Sequence, residues 1–598
     1  MRINGARLKE SLLEMARIGA TPGGGVSRVA LTDADREGRD LFARWLREAG
    51  LELSVDEMGN MFGRRRGKDP SLPPVLFGSH LDSVPQGGKF DGALGVLAAL
   101  EVARTLNEGR IETRHPLELV NFTNEEGARS AGSAKSSASP LFYPEWSAGA
   151  SALRSSPADV PPGEPAWIPL GRRGRLPRRP VGTGATAAWR KAMRINGGRL
   201  KESLLEMARI GATPGGGVSR VALTDADRDG RELFARWGRE AGLELSVDEM
   251  GNMFGRRRGK DPSLPPVLFG SHLDSVPQGG KFDGTLGVLT ALEVIRTLND
   301  GGIETRHPLE IVNFTNEEGA RFQPAMLASG VMAAKFSLEY AYARQDRTGV
   351  RFGDELVRIG YQGSVKCAPR PIHAYLEYHI EQGPVLEHDG LAVGVVTGIL
   401  GIAWARVTLE GERDHAGPTP MPMRHDALVA AAQVVTAARD LARRFGGDMV
   451  TTVGCLDVEP NVINVIPGKV TLTVDIRDSV EEQIEQAVRA LDSEVERIAK
   501  AEGVRVHVER IWRIPPTHFS PDVIRAAEEA CGALGYPYRT LMAGAGHDAK
   551  YMNDIARTGM IFIRTLHGKS HCEEESATWE DIEQGANVLL HTVLRVSS

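Results

Sequence analysis

The sequence predicts an α/β protein with a mostly parallel sheet, into which a ferredoxin-like βαββαβ unit is inserted. Three observations predict it. Short apolar runs alternate with helix-spaced leucines between residues 193 and 400; strand and helix patterns over 401–514 follow a βαββαβ order; and α/β character returns over 515–598. A further feature sets the layout. Residues 1–129 recur almost letter for letter at 193–321, with about ten mostly mild substitutions. Two copies of so long a unit exclude a solenoid.

The elements follow in order. Residues 1–129 read as a partial duplicate of the N-terminal half of the catalytic domain. Residues 130–192 are rich in Ser, Ala, Gly, Pro and Arg and nearly free of acids, with a basic run at Gly171–Val181. Such a composition buries little apolar surface and reads as a low-complexity linker. From 193, Val267–His272 is an apolar run after Pro265-Pro266, which predicts a buried strand. Leu286, Leu289, Leu292, Ile295 and Leu298 then recur every three residues, as one helix face does, up to Gly301-Gly302. Leu309–Thr315 is the next predicted strand, with Asn316-Glu317-Glu318-Gly319 at its end. Parallel sheets place ligands beyond the carboxyl ends of their strands, where His272 and Glu317-Glu318 both fall.

Within 401–514 the pattern is strand (Ala403–Leu409), helix (Asp426–Arg444), strands (Met449–Val458 and Lys469–Ile476), helix (Glu481–Ala501) and strand (Val504–Arg510). In the second helix Ile484, Val488, Leu491, Val495 and Ile498 form an amphipathic stripe. The domain reading is therefore 193–400 and 515–598 as two parts of one catalytic domain, with 401–514 between them.

Bulk composition is that of a globular protein, 41% hydrophobic and 25% charged, and 598 residues allow about four domains. A formal charge of −6 gives no reason to expect a nucleic-acid partner. Cys367, Cys455, Cys531 and Cys572 are scattered and read as free thiols in a reducing compartment. No apolar leader and no stretch of about 18 apolar residues occurs, so a cytoplasmic protein without a membrane partner is expected.

Histidines and carboxylates at strand ends beside glycines suit borderline divalent metals. His272 offers an imidazole, and Asp274 is placed to fix that ring from behind. Asp283 follows Gly279-Gly280 where a helix begins, so it reads either as a ligand or as a helix N-cap. Glu317 and Glu318 are costly neighbours unless cations neutralise them or water solvates them; their place at the end of an apolar strand favours ligand plus general base. His379 lies in Glu377-Tyr378-His379-Ile380-Glu381-Gln382-Gly383, and His571 in Ser570-His571-Cys572-Glu573-Glu574-Glu575. Either histidine alone would be unremarked. The order Gly-Ser-His, Asn-Glu-Glu-Gly, His-Ile-Glu-Gln-Gly is specific.

These residues resemble the M20-type metallohydrolases of the hydantoinase/carbamoylase branch, which includes N-carbamoyl-L-amino-acid hydrolases, β-ureidopropionases and allantoate amidohydrolases. The carrying motifs are GSHLDSVPQGGKFDG, NFTNEEGARF, EYHIEQGPVLE, HAGPTPMPMRHDA, NVINVIPG, DIRD, AGAGHDA and SHCEEE. The resemblance covers 193–598 and repeats over 1–129. It implies a zinc-peptidase-like catalytic domain and a lid and dimerisation domain at 401–514. It also implies two divalent ions per subunit (Zn²⁺, or Mn²⁺, Co²⁺ or Ni²⁺), held by His272, Asp283, Glu318, His379 and His571, with Asp283 bridging and Glu317 as general base. Arg477 would clamp a substrate carboxylate, and His415 would polarise the scissile carbonyl, commonly from the neighbouring subunit of a homodimer. Asn464, Gln382 and His547 are further substrate-binding candidates. Without the resemblance, Arg477 reads as a surface ion-pair residue and His415 as a turn residue before Gly417-Pro418. The segment Ile563–His567 departs from the family's shorter apolar-Pro-Ser pattern.

The implied reaction is hydrolysis of the carbamoyl C–N bond of an N-carbamoyl-L-amino acid. Allantoate or β-ureidopropionate hydrolysis is the near alternative. An aminoacylase-like or peptidase-like activity, or a non-catalytic product of the duplication, is the distant one. The first copy repeats His80, Asp91, Glu125 and Glu126, but nothing like His379 or His571 follows it. It reads as a vestigial half-site whose incomplete sheet leaves a strand edge open.

Overall fold

The computed structural model describes residues 2–127 and 193–598; the linker expected at 130–192 lies outside them. Four sheets organise the described residues. The largest has nine strands and carries the candidate site. Its centre is parallel: Thr558–Ile563, Ala374–Ile380, Val267–His272 and Leu309–Phe314 lie side by side in that order. Its flanks are largely antiparallel, through Met253–Arg257 on one side and Val393–Ile399 on the other. Glu244–Val247 and Met253–Arg257 form a local hairpin there, while the other antiparallel neighbours are far apart in sequence, which the alternation of strands with helices did not foretell.

The predicted strand at Val267 is buried along its whole length, because helix Thr285–Asp300 covers one face and the Phe314–Phe322 region the other. All five of the periodic residues Leu286 to Leu298 are buried in the core. The C-terminal helix Trp579–Val596 packs on the same core, so residues far apart in sequence close one domain.

The inserted unit follows the βαββαβ order. Strands Gly401–Glu410, Val450–Glu459, Lys469–Asp478 and Arg505–Ile514 form an antiparallel sheet, with Gly401–Glu410 and Lys469–Asp478 in the middle. Helices Ala427–Phe445 and Glu481–Glu502 cover one face, where Ile484, Leu491, Val495 and Ile498 are buried. A small ribbon, Asp414–His415 paired with Val465–Ile466, projects from this unit.

The first copy folds locally as the second does. Helices Gly5–Met15, Asp33–Glu48 and Ala93–Glu108 and four strands repeat those of residues 197–314. Its sheet stops at Val75–His80, the strand whose twin pairs with Ala374–Ile380. No helix among the described residues is long and apolar enough to cross a membrane.

Candidate metal centre

The site is built where two parallel strands end. His272 closes Val267–His272, and Glu317-Glu318 follow Leu309–Phe314 by a turn. Asp274 ties the two ends together, though not as expected. Its backbone carbonyl accepts from His272 Nδ1 at 2.9 Å, while its carboxylate is 4.0 Å from that nitrogen. The carboxylate instead accepts the backbone N–H groups of Glu317 and Glu318, at 3.2 and 3.3 Å. One residue thus orients the imidazole through the main chain and positions both glutamates through its side chain. The Asp274 carboxyl is pushed up to about 7 by burial. Arg220, itself buried, donates from Nε to Leu273 O at 2.6 Å and from Nη2 to Thr285 Oγ1 at 2.6 Å, fixing the loop to the next helix.

Asp283 is not the cap of helix Thr285–Asp300. Gly284 occupies the cap position, with φ 58, and no side chain caps the helix. A Cβ at Gly284 would lie 2.3 Å from the His272 ring, so only glycine lets the loop pass. The Asp283 carboxylate is left to face the histidines. Its Oδ1 lies 3.0 Å from His379 Nε2 and 3.6 Å from His272 Nε2, and its Oδ2 lies 3.5 Å from His571 Nε2. Glu318 Oε2 lies 3.4 Å from the same His571 nitrogen. Two groups of potential ligands result, His272–Asp283–His379 and Asp283–Glu318–His571, and Asp283 belongs to both, one oxygen to each.

The electrostatics fit cations. Burial would raise the Asp283 carboxyl, but His379, His272 and His571 together hold it well below the usual carboxylate range. His379 gains a proton affinity near 9 from Asp283 despite burial, and burial depresses His272 to about 4. Glu317 and Glu318 are pushed well up, by burial first and then by neighbouring carboxylates. Glu318 Oε1 is buried without a hydrogen-bond partner. A buried acid left unpaired is expensive, and divalent ions between these donors would relieve it. The residues present therefore fit a pair of metal ions.

Glu575, the last residue of the SHCEEE motif, has a structural role that the motif does not reveal. Its Oε1 accepts from the backbone N–H groups of Phe282 and Asp283 at 3.1 Å, and its Oε2 accepts from Ser570 Oγ at 2.9 Å. It therefore fastens the Asp283 loop to the His571 loop. Gln382 donates to Asp283 Oδ2 at 2.8 Å, and its own backbone N–H is held by Thr565 Oγ1 at 3.0 Å. Thr565 lies in the segment that departs from the family pattern, so that departure still supports the centre.

A cavity of about 300 Å³ opens onto both ligand groups. Gln382, His547 and Arg477 line it, as do Trp404 and Trp512 of the inserted unit, whose rings meet edge to face at 5.0 Å. Nothing marks the two tryptophans in the sequence beyond strand alternation. Arg477 donates to Asp475 through Nε and Nη2 and to Gly544 O through Nη1 at 2.7 Å. Of its five N–H groups, one on each Nη nitrogen stays open. His547 Nε2 and Trp404 Nε1 are buried without partners.

His415 and Asn464 do not join this cavity. Both sit on the projecting ribbon; His415 is exposed and accepts from Gly417 N at 3.0 Å. In the first copy, His80, Asp91 and Glu126 approach one another as a single three-ligand group, and Glu125 lies 3.2 Å from His80.

Comparison with known proteins agrees with this geometry. The profile of peptidase family M20/M25/M40 matches residues 268–595, and that of peptidase family M28 matches residues 60–154, beginning within the first copy. The N-carbamoyl-L-amino-acid amidohydrolase of Rhizobium meliloti is 47% identical over 404 residues, covering 68% of this chain and 97% of that protein. The ureidoglycolate hydrolase of Oryza sativa subsp. japonica is 36% identical, covering 67% of this chain and 84% of that one. Among solved structures, a hydantoinase/carbamoylase family amidase from Burkholderia multivorans is 50% identical, with a TM-score of 0.67, covering 68% of this chain and 99% of its own. The chain belongs to peptidase family M20/M25/M40, and within it to the hydantoinase/carbamoylase amidases.

Proposed function

We propose that this chain is an N-carbamoyl-L-amino-acid hydrolase, splitting the carbamoyl C–N bond to give the amino acid, ammonia and carbon dioxide. One observation carries the reading: the paired ligand groups and the open face of the Arg477 guanidinium share one cavity. The substrate has two matching features, a carbamoyl group at one end and a carboxylate at the other.

Nitrogen donates into a carbamoyl carbonyl, so the carbon is a poor electrophile. Two divalent ions held by His272, Asp283, Glu318, His379 and His571 would supply Lewis acidity toward the carbonyl and acidify the attacking water. Glu317, 3.6 Å from His272 and at the cavity wall, takes the proton from that water and returns it to the departing nitrogen. Arg477 receives the carboxylate on its two open N–H groups, the fork geometry such anions prefer. Trp404 and Trp512 form the apolar wall, and the unpaired Trp404 N–H and His547 Nε2 remain for polar atoms of the substrate.

In the same reading the enzyme works as a homodimer. His415 and Asn464 stand away from their own centre, which suits groups that serve the centre of another subunit. The four cysteines are all free, which suits the cytoplasm.

A ureido acid such as allantoate offers the same two features, and the relation to the rice protein favours testing it. Turnover of N-carbamoyl amino acids, β-ureidopropionate, allantoate and N-acetyl amino acids separates the readings. The highest kcat/KM is expected for the N-carbamoyl compounds. Preference for the N-acetyl compounds would overturn the assignment.

A further inference from the structure

The first copy is not free of the rest of the chain. Asn464 Nδ2 donates to both the backbone carbonyl and the Oε2 of Glu126, each at 3.1 Å. Arg413 Nη1 donates to Gln86 Oε1 at 3.1 Å. Both donors belong to the projecting ribbon or the residue beside it, where Ala416 N also bonds Asn464 O at 2.8 Å and keeps Asn464 in place.

Glu126 and Gln86 are the twins of Glu318 and Gln278. The twins hold the same local geometry. Gln86 and Gln278 have φ of 55 and 53, and Glu126 and Glu318 both have their N–H bound by an aspartate carboxylate at 3.2 and 3.3 Å. Glu318 belongs to the complete centre and Gln278 is exposed at its rim. In a second copy of this chain Gln278 is exposed and Glu318 lines the open cavity, so both are placed to meet a ribbon as Gln86 and Glu126 do in the first copy.

We propose that residues 2–127 occupy, within their own chain, the place on the ribbon that the centre of a second chain would take, and that they hold the full chain as a monomer. The occupant is tethered, so its effective concentration at the ribbon exceeds that of a free chain at micromolar concentration. The ribbon then meets an incomplete three-ligand group, through Asn464 on Glu126, instead of a complete centre. This inference rests on the pairing part of the proposed function and not on the substrate.

Light scattering tests it. Residues 193–598 hold three of the hydrophobic cores among the described residues, and 68% of this chain covers 99% of the Burkholderia multivorans amidase, which is solved as a chain of its own. The full chain is expected at the mass of one chain, and residues 193–598 at the mass of two. Full chain with Gln86→Lys and Glu126→Lys, which place like charge against Arg413 and remove the side-chain acceptor of Asn464, is expected to shift to two. Gln278→Lys in residues 193–598 is expected to return that protein to one. If the full chain already has the mass of two, the internal contact excludes nothing and the inference is overturned, while pairing stands. A monomeric 193–598 overturns both, and leaves the substrate reading to be decided by turnover.

Discussion

Residues 2–127 and 193–321 carry nearly one sequence in two settings, and the setting decides what the sequence does. Helices, strands, register and turn geometry repeat; burial does not. Leu76 is 49% exposed and its twin Leu268 is fully buried; Phe90 is 47% exposed and Phe282 only 3%. The difference is made by residues 322–598, which add Ala374–Ile380 to the strand edge and cover the outer helix face with Trp579–Val596. The same holds for the chemistry. His80 has its Nδ1 fixed by a backbone carbonyl as His272 does, yet only His272 meets His379 across an aspartate. Local sequence specifies a half-site, and tertiary closure makes it a centre.

The comparison can be pressed in several ways. Metal removal has the largest expected effect. Chelation should abolish turnover, and a divalent ion should restore it, since Glu317 and Glu318 are buried beside further carboxylates and Glu318 Oε1 has no hydrogen-bond partner. If activity survives complete chelation, the centre is misassigned. Arg477→Ala should lower kcat/KM by a factor corresponding to about 2–5 kcal/mol, the cost of leaving a bound carboxylate without its charged partner. An unchanged KM for a carboxylate-bearing substrate would place recognition elsewhere. Paired truncations read the burial difference itself. Leu268→Ala should destabilise by about 2–5 kcal/mol in chemical denaturation, and Leu76→Ala by less than about 0.5 kcal/mol. Equal losses would mean that the first copy is covered in solution.

Much of the candidate centre was legible in the sequence because His272, His379 and Glu317-Glu318 sit at or just beyond strand ends, and strand ends are marked by apolar runs and glycines. Val267–His272, the helix after Asp283, and the βαββαβ order of the inserted unit were each visible as period. What stayed hidden depends on direction rather than pattern. Sequence spacing puts Asp274 beside His272, but it does not say that the carboxylate turns to the Glu317 and Glu318 amides while the carbonyl holds the ring. It offers two roles for Asp283, and only the glycine at the cap position decides between them. Trp404 and Trp512 look like any alternating strand residues until two distant strands bring them to one wall. His415 and Asn464 carry a family motif, yet they do not line their own cavity. The antiparallel flanks of the large sheet likewise follow from tertiary pairing that no local signal announces.

The central claim is that one complete centre, in the second copy, does the chemistry. Turnover of Glu317→Gln beside Glu125→Gln tests it most directly, because the two residues are twins in sequence and differ only in setting. Glu317→Gln should retain metal and lose about 10²–10⁴-fold in kcat, the usual weight of a general base. Glu125→Gln should stay within about twofold of the parent. Equal losses from the two changes would contradict the account.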